Sequence, residues 1–158
     1  MVLCPQTEGL SDVRLQFIEI TMPVKNSTRT KPAQQHYKNT SFETLAASWL
    51  TYGGWEVFVP MIDHDMKTDL LVGDGHEYYR IQIKSLETDD ESHLVENKWG
   101  DAAIDFVVYF SRSGNWGYIT PPFSQKRKRL NSPDHIRFHK HPKPFLKAFN
   151  LLLYSFFG

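Results

Sequence analysis

Between positions 69 and 84 the chain reads DLLVGDGHEYYRIQIK, and its chemistry-bearing residues are Asp69, Gln82 and Lys84. In an extended strand, side chains alternate between faces. Tyr79, Ile81 and Ile83 therefore point one way, and Tyr78, Arg80, Gln82 and Lys84 the other. Gly73-Asp74-Gly75 supplies residues that tolerate positive φ, so Glu77–Lys84 should fold back on Asp69–Val72 as a hairpin. Asp69, Gln82 and Lys84 then converge at the end of the hairpin away from its turn. A carboxylate, an amide oxygen and an ammonium together suit a hard divalent cation and a phosphate. Mg²⁺ takes few protein ligands and fills its other positions with water and phosphate oxygens. A lysine beside it can orient or deprotonate a water and offset charge building on the phosphorus. Spacing alone does not separate this from an Asp and a Lys that end ordinary solvated strands. The neighbouring segments must decide.

Those segments are short and alternate in type. Val13–Thr21 is β-branched and aromatic enough for a strand. Val24–Gln35 is polar and reads as a loop or arm. Phe42, Leu45, Ala46, Trp49 and Leu50 recur on one helical face, which predicts a helix over Ser41–Tyr52. Thr40 with Glu43 fits a capping box at its start, and Gly53-Gly54 stops it. Trp55–Pro60 is a short strand. Ile104–Phe110 and Trp116–Thr120 form a second strand pair around Ser113-Gly114-Asn115, closed by Pro121-Pro122. A C-terminal helix begins near Pro144. Its apolar residues Phe145, Phe149, Leu152, Leu153 and Phe156 would either cap the core or form an interface. The predicted fold class is α/β, one central mixed sheet flanked by helices.

The run FETLAASWLTYGGWEVFVP, then TDLLV, YYRIQIKS and IDFVVYFSRSGNWGYITPP, resembles the PD-(D/E)XK nuclease superfamily. The closest resemblance is to the group I intron-associated homing endonucleases of cyanobacteria and phages, which carry Q-x-K-(S/T) after a D-L-x-V strand. It spans about 37–123, with a fainter echo in HIRFHKHPKPFLKAFNLL. Holliday-junction resolvases share the same core. The resemblance implies a restriction-endonuclease-like fold in which Asp69 binds metal and Lys84 is the catalytic lysine. Gln82 stands where most of the superfamily has Glu or Asp. Glu43 matches a helix glutamate that supports the metal site, although the capping box accounts for it equally well. The implied cofactor is Mg²⁺, with Mn²⁺ able to substitute, and the implied partner is double-stranded DNA. Cutting both strands at a defined site needs two active sites, hence a homodimer or homotetramer. Two alternatives stay open: a junction-resolving or repair nuclease of the same fold, and a catalytically silent DNA-binding module.

Eighteen Lys and Arg balance eighteen Asp and Glu, which at face value argues against a basic nucleic-acid binder. The zero is a cancellation. Residues 43–105 hold fourteen acids and four bases, and the rest holds fourteen bases and four acids. Lys25, Arg29, Lys31 and Lys38 in the arm, and Lys126, Arg127, Lys128, Arg129, Arg137 and Lys140 in the C-terminal third, are candidate phosphate contacts. Asp63, His64 and Asp65 resemble a metal cluster but also an ordinary solvated loop. Asp89, Asp90 and Glu91 read as a loop tip. His135, His139 and His141 lack zinc-site spacing.

The 158 residues make a single domain of ordinary size, divided into an N-terminal strand and arm (1–38), a nuclease-like core (39–123) and a basic segment with a helix (124–158). With 41% hydrophobic and 14% aromatic residues, wholesale disorder is excluded. The single cysteine, Cys4, rules out a disulfide framework and indicates a reducing compartment. No signal peptide or membrane-spanning stretch is visible, so a cytoplasmic location is expected.

Overall fold

In the computed structural model, residues 30–62 and 65–157 are described. The expected strand over Val13–Thr21, together with Cys4, Lys25, Arg29, Asp63 and His64, lies outside the described residues. The described chain begins with helix α1 (Lys31–Tyr52), followed by β1 (Glu56–Phe58), β2 (Leu70–Gly73), β3 (Tyr78–Leu86), β4 (Leu94–Glu96), β5 (Phe106–Ser111), β6 (Trp116–Thr120), β7 (Arg127–Arg129), β8 (Ile136–His139) and helix α2 (Pro142–Phe157).

Helix α1 starts ten residues before its predicted start at Ser41. Pro32 explains the difference, because proline is favourable in the first turn, where its missing N–H had no helical partner. The segment expected as an arm is thus helical from Lys31, and Thr40 lies inside the helix. There is no capping box: the hydroxyl of Thr44 bonds back to the Thr40 carbonyl at 3.3 Å. The C-terminal end matches expectation. Trp55 N–H donates to Leu50 O at 3.1 Å and Gly54 N–H to Thr51 O at 3.0 Å, with Gly54 at φ +89°. That is a Schellman stop, and it needs glycine for the left-handed residue.

Six strands form one mixed sheet in the order β1-β2-β3-β5-β6-β8. Only the central β3–β5 pair is parallel. The predicted hairpin is present. Leu70 pairs with Ile81 and Gly73 with Tyr78, so Asp69 falls at the open end of β2 and β3. The side chain of Asp74 holds the turn by accepting the His76 and Glu77 N–H groups, both at 2.9 Å, which draws its carboxyl below its ordinary pKa. A second sheet, β4–β7, was not expected. Arg127–Arg129, read from sequence as part of an open basic segment, pairs with Leu94–Glu96.

The alternation of side chains sorts the core into two layers. Leu70, Val72, Ile81, Ile83, Phe106, Val108 and Phe110 face both helices, against Trp49 and Leu50 of α1 and Phe145, Phe149 and Leu152 of α2. Of the two roles left open for α2, Phe145, Phe149 and Leu152 take the first and cap the core, Leu153 packs partly against it, and Phe156 stays exposed. On the opposite face, Val107, Tyr109 and Tyr118 are covered by Val95, Trp99, Phe123 and Leu130 from the β4–β7 region. Both described helices therefore lie on one face of the sheet. At Gly117 the Phe138 ring packs so closely that a Cβ would sit 2.3 Å from it and 2.5 Å from the Tyr109 carbonyl oxygen. Among the described residues, no helix is long and apolar enough to cross a membrane.

Candidate active site

The site grows out of the open end of the β2–β3 hairpin. Asp69 N–H donates to Ile81 O at 2.9 Å, and one oxygen of the Asp69 carboxylate accepts the Ile83 N–H at 2.6 Å. The second bond continues the ladder with a side chain where a backbone carbonyl would otherwise accept. It fixes the carboxylate directly beside β3.

Gln82 projects from β3 to the face away from the helices and is 2% exposed. Its Oε1 is buried without a hydrogen-bond partner. An orphaned buried acceptor forfeits about 1–3 kcal/mol of hydration, so an acceptor left bare beside a carboxylate calls for a donor or a cation. Lys84 follows on the same face. Burial pulls its pKa below the ordinary lysine value, and Lys98 and Lys67 add to this, while Asp69 and Glu43 oppose it.

Glu43 reaches this region from α1. Burial raises its pKa first and the Asp69 carboxylate second, with His36 and Lys84 working against them. Glu43, Asp69 and Lys84 therefore lie within one another's electrostatic reach. Glu43 and Lys84 also line one cleft of about 340 Å³ with Gln35, Asn39 and Arg112. All four expected site residues are brought to one end of the sheet. Their potential ligands are all oxygens, from two carboxylates and one amide, which fits a hard cation such as Mg²⁺. Among the described residues, no cluster of three His, Cys, Asp or Glu side chains suits a metal. The donor set depends on the amide.

Several contributors escaped sequence reasoning. The Ile83 N–H has no side-chain signature at all. Arg112 is largely buried and donates to Ser85 Oγ from Nε at 3.2 Å and from a terminal nitrogen at 3.0 Å, and it pairs with Glu87. It braces the end of β3 just past Lys84. Asp105, visible in the IDFVVYF run, accepts the Arg80 N–H at 2.6 Å and so does for the β3–β5 junction what Asp69 does for β2–β3.

The candidate phosphate contacts separate into two groups. Lys31 and Lys38 are exposed on the first turns of α1, and Lys126 and Arg129 are exposed around β7. The others hold internal partners. Arg127 binds Glu96 at 2.7 Å, and Lys128 binds Asp134 and lies over the Phe123 ring. Arg137 forks onto Glu91 at 2.7 and 2.8 Å, with Tyr118 donating to the same carboxylate at 2.6 Å. Lys140 donates to Ser111 O at 2.9 Å. Glu91, expected at a loop tip, thus ties that loop to β6 and β8. His135 is buried against Leu130 O at 2.8 Å.

This mixed sheet, with its central parallel pair and both described helices on one face, is a restriction-endonuclease-like α/β fold. Among solved structures the chain is similar to the bacterial homing endonuclease I-Ssp6803I, at 19% identity and a TM-score of 0.53, over 76% of this chain and 91% of that one. Hjc, a Holliday junction resolvase of Archaeoglobus fulgidus, is similar at 13% identity and a TM-score of 0.44, over 68% of this chain and 88% of that one. No protein-family model and no curated protein matches the sequence.

Proposed function

We propose that the chain is a metal-dependent endodeoxyribonuclease, of the homing type, that hydrolyses phosphodiester bonds in double-stranded DNA. The observation that carries this reading is the buried, unpartnered Oε1 of Gln82 beside Asp69, with Lys84 two residues on. Asp69, Gln82 and Glu43 would hold Mg²⁺ or Mn²⁺. A bound divalent cation supplies Lewis-acid polarisation of the phosphate and makes water a better nucleophile near neutral pH. The chain's own residues do the rest. The Ile83 N–H keeps the Asp69 carboxylate in one orientation, so no reorganisation is needed as the reaction proceeds. Lys84 offers its ammonium to the water and to the charge that accumulates on the phosphate oxygens. Gln82 contributes no charge, so phosphate or Glu43 supplies what the usual second carboxylate would.

The Q-x-K pattern favours the intron-associated group over junction resolvers, and preferential cutting of four-way junctions would reverse that choice. A homodimer or homotetramer is proposed because a duplex offers two strands to cut. The test is nicking of supercoiled plasmid with Mg²⁺ or Mn²⁺. Wild-type protein should convert it, and Asp69→Ala and Lys84→Ala should not. An intact plasmid with either metal would leave a silent DNA-binding module, and nicking that survives both substitutions would remove these residues from the reaction.

A further inference from the structure

Beside Lys84 lies a second cavity of about 390 Å³, which shares Lys84 and Ser85 with the cleft that Glu43 lines. Its floor is the C-terminal end of the parallel β3–β5 pair, with Lys84 and Leu86 from β3 and Tyr109 from β5. β4 covers it with Leu94, Val95 and Glu96, and Lys98 and Arg127, both paired with Glu96, line it as well. The C-terminal ends of parallel strands are where open α/β sheets take ligands, and the volume falls in the range of small-ligand sites. Tyr109 pairs in register with Lys84 and is 2% exposed, yet its hydroxyl has no hydrogen-bond partner. A buried hydroxyl is ordinarily satisfied. This one sits in the wall of a cavity adjoining the candidate active site.

The lining is mixed. Leu86, Leu94 and Val95 make apolar walls, while Lys84, Lys98 and Arg127 bring positive charge around Glu96, which pairs with Lys98 and Arg127. A nucleobase has flat apolar faces for those walls, a polar edge for the Tyr109 hydroxyl, and an attached phosphate for Lys84 and Lys98. We infer that this cavity receives one unstacked nucleobase of the DNA strand whose phosphate lies at Asp69, Gln82 and Lys84. The inference rests on the nuclease reading for its substrate. Unstacking a base costs least where pairing is already weak, so the cavity would also bias cutting toward deformable steps.

The test is nuclear magnetic resonance titration with thymidine 5′-monophosphate, using deoxyribose 5-phosphate and inorganic phosphate as controls. Thymidine monophosphate should shift the Leu94 and Val95 methyl and Tyr109 ring resonances saturably, and the two controls should not. Tyr109→Phe should weaken binding about fivefold, the loss of one neutral hydrogen bond, and Leu94→Trp should abolish it by filling the space. The same spectra report whether each variant is folded. Equal shifts from deoxyribose phosphate, shifts confined to other surfaces, or binding untouched by Tyr109→Phe would each overturn the proposal. Plasmid nicking separates the two readings. Nicking without these shifts removes the base pocket and leaves the nuclease, and shifts without nicking keep a nucleotide pocket in a protein that does not cut.

Discussion

Asp69 and Ile83 are joined across the β2–β3 hairpin by a side chain acting as a strand partner, the carboxylate accepting the Ile83 N–H at 2.6 Å. One group therefore serves the ladder and stands in the candidate site. Asparagine keeps an oxygen for the ladder and removes the charge. Asp69→Asn should lower stability by only about 1 kcal/mol, the scale of one hydrogen bond, while abolishing Mg²⁺ binding measured by calorimetry. If the Asp69→Asn protein binds Mg²⁺ as tightly as wild type, Asp69 is structural only.

Gln82 offers the opposite separation. Without a ligand its orphaned Oε1 is a cost to stability. Gln82→Leu should raise the unfolding free energy in urea by about 1–3 kcal/mol and cut nicking by roughly a hundredfold, as when one charge-stabilising group is lost. Gln82→Glu should tighten Mg²⁺ binding without DNA, because attraction between full charges a few ångströms apart is worth about 1–4 kcal/mol at effective dielectrics of 80 to 20. Unchanged or weaker binding would count against coordination by this residue.

Glu43 and Lys84 carry pH dependence of opposite sign. Burial and Asp69 raise the Glu43 pKa above its ordinary 4.5, so its favourable contribution is complete at lower pH and is lost as pH rises through the folded-state value. Burial lowers the Lys84 pKa below 10.5, so the ammonium form is held at a cost that disappears as pH climbs through the folded-state value toward 10.5. Glu43→Gln should therefore gain in melting temperature over wild type as pH rises above 4.5. Lys84→Met should be more stable than wild type at neutral pH and inactive. Melting curves from pH 4 to 9 check both, and a Lys84→Met protein less stable than wild type at pH 7 would contradict the burial argument.

Among the exposed cations, Lys126 and Arg129 form no ion pair among the described residues, whereas Arg137 is committed to Glu91. Lys126→Ala with Arg129→Ala should flatten the salt dependence of DNA binding by about one to two units of log–log slope. Arg137→Ala should leave the slope near wild type and lower thermal stability. Fluorescence anisotropy at several KCl concentrations reads both.

Gly117 tests the packing of the sheet. A methyl there meets the Phe138 ring and the Tyr109 carbonyl at contact distances that real Cβ atoms do not tolerate. Gly117→Ala should lose about 1–3 kcal/mol or more in urea denaturation, the range for overpacked cores.

The hairpin was legible because everything that builds it is local. The turn residues Gly73-Asp74-Gly75 and the alternation of Glu77–Lys84 determine which side chains share a face, and pairing Leu70 with Ile81 follows from them. The start of α1 was not, because Pro32 means a break inside a helix and a favourable residue in its first turn, and only the position relative to the packed face tells them apart. Strands β4 and β7 each have three residues, and Arg127–Arg129 shows no apolar alternation; that strand exists because β4 and the Phe123 region pack over the sheet. Tyr109 reads from sequence as one more core aromatic, and only the folded surroundings leave its hydroxyl buried without a partner.

The pairing of Leu70 with Ile81 spans eleven positions of chain, against twenty-five for the Ile81–Phe106 pair that completes the centre of the sheet. Short loops close with the smallest entropy loss, and local contacts form ahead of distant ones. Asp69 and Gln82 thus meet in the most local element of the sheet, and Tyr109 comes beside Lys84 only when the parallel strand docks. Contact locality predicts that the Asp69–Gln82 pair forms early in folding and the completed cleft late.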